Sequence, residues 1–129
     1  MEGDPDSRIY EDTWVVNVYA VLKGNTHPNR YVIMSGDIDS RASDIRNYTI
    51  DAPGANDNAS GMAGAIEAAR VLSDYEFENS IIFAGLSGEE QGLYGGEHMA
   101  EMAREEGWEI IGVLNNDMIG NIRGIDGIV

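Results

Sequence analysis

The stretch Asp51-Ala-Pro-Gly-Ala-Asn-Asp-Asn-Ala-Ser-Gly61 decides how this chain is read. Pro53 and Gly54 signal a turn, a small polar loop follows, and a helical pattern starts directly after it. Asp57, flanked by Asn56 and Asn58, therefore sits at a loop-to-helix junction, where backbone donors and a helix N-terminus favour a negative group. Between Ala59 and Leu72, Met62, Ile66 and Ala69 recur at helical spacing, and Ala65, Ala68 and Leu72 widen the stripe. Gly61 and Gly64 each cost about 1 kcal/mol relative to alanine inside a helix, so close packing on a neighbouring backbone is expected there.

Upstream, Trp14 to Leu22 is rich in β-branched and aromatic residues, with Val16, Val18, Ala20 and Leu22 on one face, the period-two signature of a strand. Lys23 to Asn29 is a turn-rich link, and Arg30 to Ser35 is a second strand. So short a link predicts an antiparallel pair. Asp44 to Pro53 lacks periodicity and reads as a loop.

Downstream of the first helix, Ser80 to Leu86 is a short apolar run suited to a buried parallel strand. A second helix is predicted over Leu93 to Glu106, with Met99, Met102 and Ala103 inward and Glu97, Glu101, Arg104 and Glu105 outward. Gly107 is its stop. Ile110 to Leu114 gives a fourth strand, left by Asn115-Asn-Asp-Met-Ile-Gly120. Strand, strand, helix, strand, helix, strand is an α/β layout with a largely parallel sheet.

The acidic residues fall where strands end: Asp37 and Asp39 after the second, Glu89 and Glu90 after the third, Asp117 after the fourth. Ligands of such sheets bind at the carboxyl ends of strands. Singly, each residue has an ordinary account as a turn or helix cap. Together with Asp57 they bring like charges to one rim, where they repel, and a cation resolves that conflict. Glu89-Glu90 lies between Gly88 and Gly92 directly after a buried strand. Adjacent carboxylates point differently, so one can ligate a metal while the other handles a proton. His27 lies in a turn beside Pro28 and His98 has no partner nearby in sequence; neither reads as a ligand. Met62, Met99 and Met102 are core positions.

Composition agrees. The 129 residues suffice for one domain, spanning 1–129, and 43% hydrophobic with 24% charged residues is a globular balance. A formal charge of -15 excludes nucleic acid and anionic membrane surfaces as partners and suits a metal ion or a peptide amino terminus. With no cysteine, disulfides and thiolate zinc sites are absent. Residues 1–13 are polar and read as a ragged start, too acidic at the outset for a signal peptide.

Ser35-Gly-Asp-Ile-Asp-Ser-Arg41, Ala52-Pro-Gly-Ala-Asn-Asp-Asn-Ala-Ser-Gly61, Gly88-Glu-Glu-Gln-Gly-Leu-Tyr-Gly95 and Leu114-Asn-Asn-Asp-Met-Ile-Gly120 together resemble the co-catalytic di-zinc aminopeptidases, whose relatives include glutaminyl cyclases and inactive ectodomains. The resemblance runs from Trp14 to the end. It implies a three-layer α/β/α sandwich with a mixed, mostly parallel sheet, a peptide substrate, and a secreted or periplasmic location. It also implies two zinc ions bridged by Asp57, one held by Glu90 and the other by Asp117. Glu89 would be the general base, passing a proton from the attacking water to the departing amine, and Asp39 would orient a ligand. A cis peptide is expected at Asp57–Asn58. The family places a histidine ligand where this chain has Asp37, and an all-oxygen set shifts preference toward magnesium, manganese or calcium. A late histidine ligand of the family is expected beyond Val129, leaving a partial catalytic domain of lowered activity. Ile119, Ile122, Ile125, Ile128 and Val129 form an apolar tail, and with an open sheet edge they predict self-association. The rival reading is a non-catalytic acidic module that binds a cation or a partner on the same scaffold, and a third is a glutaminyl cyclase relative.

Overall fold

A computed structural model describes residue 3 and residues 8–121. Among these described residues, four strands and three helical segments follow in the order β1 (Val18–Leu22), β2 (His27–Asp37), α1 (Ala59–Leu72), β3 (Asn79–Leu86), α2 (Glu89–Gly92), α3 (Tyr94–Glu105) and β4 (Glu109–Asn115). The sheet order is β1-β3-β2-β4. β2 runs parallel to β3 and to β4, and β1 pairs antiparallel with β3. The sheet is therefore mixed and mostly parallel.

The expected β1–β2 hairpin does not form, because β3 lies between the two strands. Strands two places apart are separated by about 10 Å, and the four residues Lys23 to Thr26 can reach about 13 Å, so a short link does not force adjacency. This link crosses the start of β3. Gly24 N donates to Ser80 Oγ (3.0 Å), while Asn25 N and Thr26 N donate to the Phe77 and Glu78 carbonyls. A Cβ on Gly24 would stand 2.5 Å from the Asn79 carbonyl carbon, which is why glycine occupies the crossing. Trp14 to Asn17, expected to belong to the first strand, lies outside it, and Trp14 is exposed. His27 begins β2 instead of sitting in a turn.

Alternation along the central strands places the helices. Ile33 of β2, Ile82 and Ala84 of β3 and Met99 of α3 form one buried cluster, so these positions face α3. On the intervening positions, a Cβ on Gly36 would meet Gly61 and Met62 of α1, and one on Gly85 would meet Met62. Helices thus cover both faces, giving three layers. α1 spans the range read from the sequence, but its core face is Gly61 and Ala65, and Ile66 is exposed. Met99 and Ala103 of α3 are buried as expected, whereas Met102 is half-buried. Gly107, in the left-handed region at φ +68°, ends that helix region. Ile119 is exposed; Ile122, Ile125, Ile128 and Val129 lie outside the described residues. Among the described residues no helix is long and apolar enough to cross a membrane.

Candidate metal centre

The connection from β2 to β3 runs through α1 on one face, and that from β3 to β4 runs through α3 on the other. The chain reverses its winding beside β2, and such a switch point opens a crevice at the carboxyl ends of the strands. Asp37 is the last residue of β2 and Asp117 lies two residues past β4. Together with Glu89 they line a cavity of about 470 Å³ whose other walls include Leu86, Leu93 and Val113.

Asn58 organises the rim, a role that sequence reading assigned only as a neighbour of Asp57. It caps α1 and is buried. Its Oδ1 accepts from Gly61 N (3.1 Å) and Met118 N (3.2 Å). Its Nδ2 donates to Asp37 Oδ2 (3.2 Å) and to the Asn116 carbonyl (2.8 Å). One side chain thus joins the start of α1, the end of β2 and the segment carrying Asp117. The legible signal was an asparagine immediately before a helical pattern, a preferred capping residue. Asn56 reinforces it by accepting from Gly120 N (2.9 Å). Gly61 must be glycine here, since a Cβ would stand 2.1 Å from the Asn116 carbonyl oxygen. Asp57 occupies the turn leading into α1, and the Asp57–Asn58 peptide is cis, as expected.

Glu89 and Glu90 open α2, a single turn absent from the sequence reading. Gly88 before it is at φ +75°, a conformation glycine adopts without steric cost. The Asp39 carboxylate accepts from Glu89 N through Oδ1 and from Glu90 N through Oδ2, both at 3.1 Å, fixing the backbone that carries both glutamates. Glu90 Oε2 is 2.6 Å from Arg41 Nε.

The electrostatics are those of crowded carboxylates. Burial pushes the Asp37 carboxyl above the usual aspartate range; the Asn58 hydrogen bond opposes this, and Asp117, Asp39 and Asp57 add to it. Glu89 is likewise raised, first by burial, then by Glu90, Asp37, Asp117 and Asp39. A divalent cation relieves this repulsion, and an all-oxygen donor set suits one. Asp37, Asp57, Glu90 and Asp117 fit such an ion by donor chemistry and charge. Among the described residues, however, no group of three or more His, Cys, Asp or Glu side chains stands close enough together to hold a metal ion. Asp37, Glu89 and Asp117 share the cavity, while Asp57, Asp39 and Glu90 are not in its wall. His27 and His98 are exposed.

Known proteins resemble this chain in sequence and in fold. The chain is 47% identical over 121 residues to a "Probable zinc metalloprotease" of Pyricularia oryzae, covering 94% of this chain and 24% of that protein. It is 44% identical over 118 residues to another of that description from Pyrenophora teres f. teres, with 92% and 24% covered. Among solved structures, the aminopeptidase from Aneurinibacillus sp. strain AM-1 superposes with a TM-score of 0.67 at 32% identity, over 82% of this chain and 25% of that one. A zinc aminopeptidase from Bacillus subtilis gives 0.64 at 27% identity, over 81% and 24%. The chain thus spans about a quarter of the length of these relatives. Residues 17–126 match Peptidase family M28, and the chain belongs to that family.

Proposed function

We propose that this chain supplies the base-bearing and metal-holding part of an aminopeptidase that removes amino-terminal residues from peptides. The observation that carries the reading is the convergence of Asp37, Glu89 and Asp117 on one cavity at the sheet's switch point. Asp57, Glu90, Asp117 and Asp37 would hold the metal. The relatives named as zinc proteins support zinc; Asp37 in place of a nitrogen donor leaves room for manganese, magnesium or calcium. When bound, the metal would polarise the scissile carbonyl and acidify the attacking water.

The chain's own groups do the rest. Glu89, whose carboxyl is raised by burial and negative neighbours, is tuned toward proton exchange nearer neutrality. It would take the proton of the attacking water and return it to the departing amine. Asp39 would hold Glu89 in place through the backbone of α2. Leu86, Leu93 and Val113 give the same cavity apolar lining.

A second reading, a non-catalytic module on this scaffold that binds a cation or a partner, is favoured by Asp37 in place of a nitrogen donor. Aminoacyl-anilide hydrolysis separates the two. The 129-residue chain should turn over slowly or not at all. Asp37→His in a chain extended through the later part of the family's domain should gain zinc-dependent turnover, and Glu89→Ala should abolish it. Efficient turnover by the 129-residue chain with zinc would contradict the role given to Asp37, and no turnover in any form would favour the second reading.

A further inference from the structure

Glu89 and Glu90 are neighbours on the single turn of α2, yet they meet different surroundings. Glu89 lines the rim cavity with Asp37 and Asp117. Glu90 meets Arg41, whose Nε stands 2.6 Å from Oε2, and Arg41 lines a separate cavity beside Tyr48 and Gln91. This pair differs from Arg30–Glu109 and Arg70–Glu67, in which both side chains are exposed. The Glu90 side chain is only 12% exposed. A carboxylate so far removed from water needs a compensating charge, and Arg41 supplies it.

The segment that carries Arg41 is anchored. Asp39 accepts from the Glu89 and Glu90 backbone amides. Ser40 Oγ donates to the Ala52 carbonyl at 2.7 Å, in the loop that leads to Asp57. Arg41 reaches the Glu90 carboxylate, and its Nη1 makes a longer contact with the Ala42 carbonyl (3.5 Å). Three consecutive side chains thus hold the α2 backbone, the loop before Asp57 and the Glu90 carboxylate. Arg8 Nη1 adds a bond to the Glu90 carbonyl. With its amide and carbonyl both held, Glu90 can change partner only by turning its side chain.

We propose that Arg41 is the positioning residue of Glu90: it holds this carboxylate aside from the rim, and a divalent ion must take it from Arg41. The inference rests on the reading of Glu90 as a metal ligand. A guanidinium and a divalent cation compete for the same carboxylate oxygens. Because arginine stays protonated at every working pH, loss of its charge does not open the pair; a competing cation does. Arg41 therefore raises the ion concentration at which the rim fills. It also divides the adjacent glutamates, keeping Glu90 out of the cavity that Glu89 lines.

Calorimetric titration of the 129-residue chain with manganese or zinc tests this. Arg41→Gln should bind the ion about fivefold more tightly than the unaltered chain, the size of one partly exposed ion pair. Arg41→Lys keeps the charge but loses the planar fork; it should gain less in the same direction, and it decides the sign if Arg41→Gln does not fold. Melting curves without added ion check that each variant folds. Glu90→Gln separates release of Glu90 from the mere loss of a positive charge, because the gain from Arg41→Gln should disappear in the double variant. Unchanged or weaker binding by Arg41→Gln would overturn the proposal while leaving the rim a cation site. A gain that survives Glu90→Gln would overturn it as well. Absence of binding by every form would overturn it together with the metal-dependent reading.

Discussion

β3 and β4 are written in nearly the same language, Asn79-Ser-Ile-Ile-Phe-Ala-Gly-Leu86 and Glu109-Ile-Ile-Gly-Val-Leu-Asn115. Yet β3 is buried along most of its length, while six of the seven residues of β4 are exposed. The difference comes from position in the sheet. β3 has a partner on each side and a helix on each face; among the described residues β4 pairs only with β2. An apolar run therefore identifies a strand, and topology decides how much that strand contributes to stability. Both strands nevertheless deliver acidic residues to the same rim, Glu89 after one and Asp117 after the other.

The largest expected effect follows from this contrast. Ile82→Ala in β3, at a site with no exposure, should cost about 2–5 kcal/mol. Val113→Ala in β4, at 57% exposure, should stay within about 0.5 kcal/mol. Urea unfolding of the two variants makes the comparison, and equal losses would break it.

A smaller effect, of opposite sign, belongs to the rim. Asp37 is held with a raised carboxyl. Its contribution to stability is present below the usual aspartate value of about 4 and is lost as pH rises through the raised folded value. Asp37→Asn keeps an oxygen, avoids the ionisation, and should raise the metal-free melting temperature at pH 7 by about 1 kcal/mol worth of stability. The gain should vanish near pH 3.

Smallest is an effect of the open edge. Ile111, Val113 and Leu114 are exposed on β4, and an unpaired strand edge invites pairing with a second chain. Repulsion between chains of charge -15 opposes this, so association should strengthen with salt. Light scattering across dilution and ionic strength checks it; a strictly monomeric particle throughout would refute it.

Much of this was legible in the sequence. α1 was read to its observed limits because a turn and a small polar loop precede an apolar stripe at helical spacing. Asp37, Glu89 and Asp117 were placed at strand ends because apolar runs stop at polar, glycine-rich text. The position of β1 was not legible, since a four-residue link can reach across one strand as easily as beside it. Ile66 followed the helical period yet faces outward, because packing chose Gly61 and Ala65 for the close approach to β2.

Thermal melting of the 129-residue chain against millimolar zinc, manganese and calcium tests most directly the claim that this rim is a cation site. Ions that bind the folded rim stabilise by mass action, about 2.7 kcal/mol at a hundred times the dissociation constant. At least one of the three should raise the melting temperature, and Asp57→Ala should remove the rise. A melting curve that no divalent ion shifts would contradict the account.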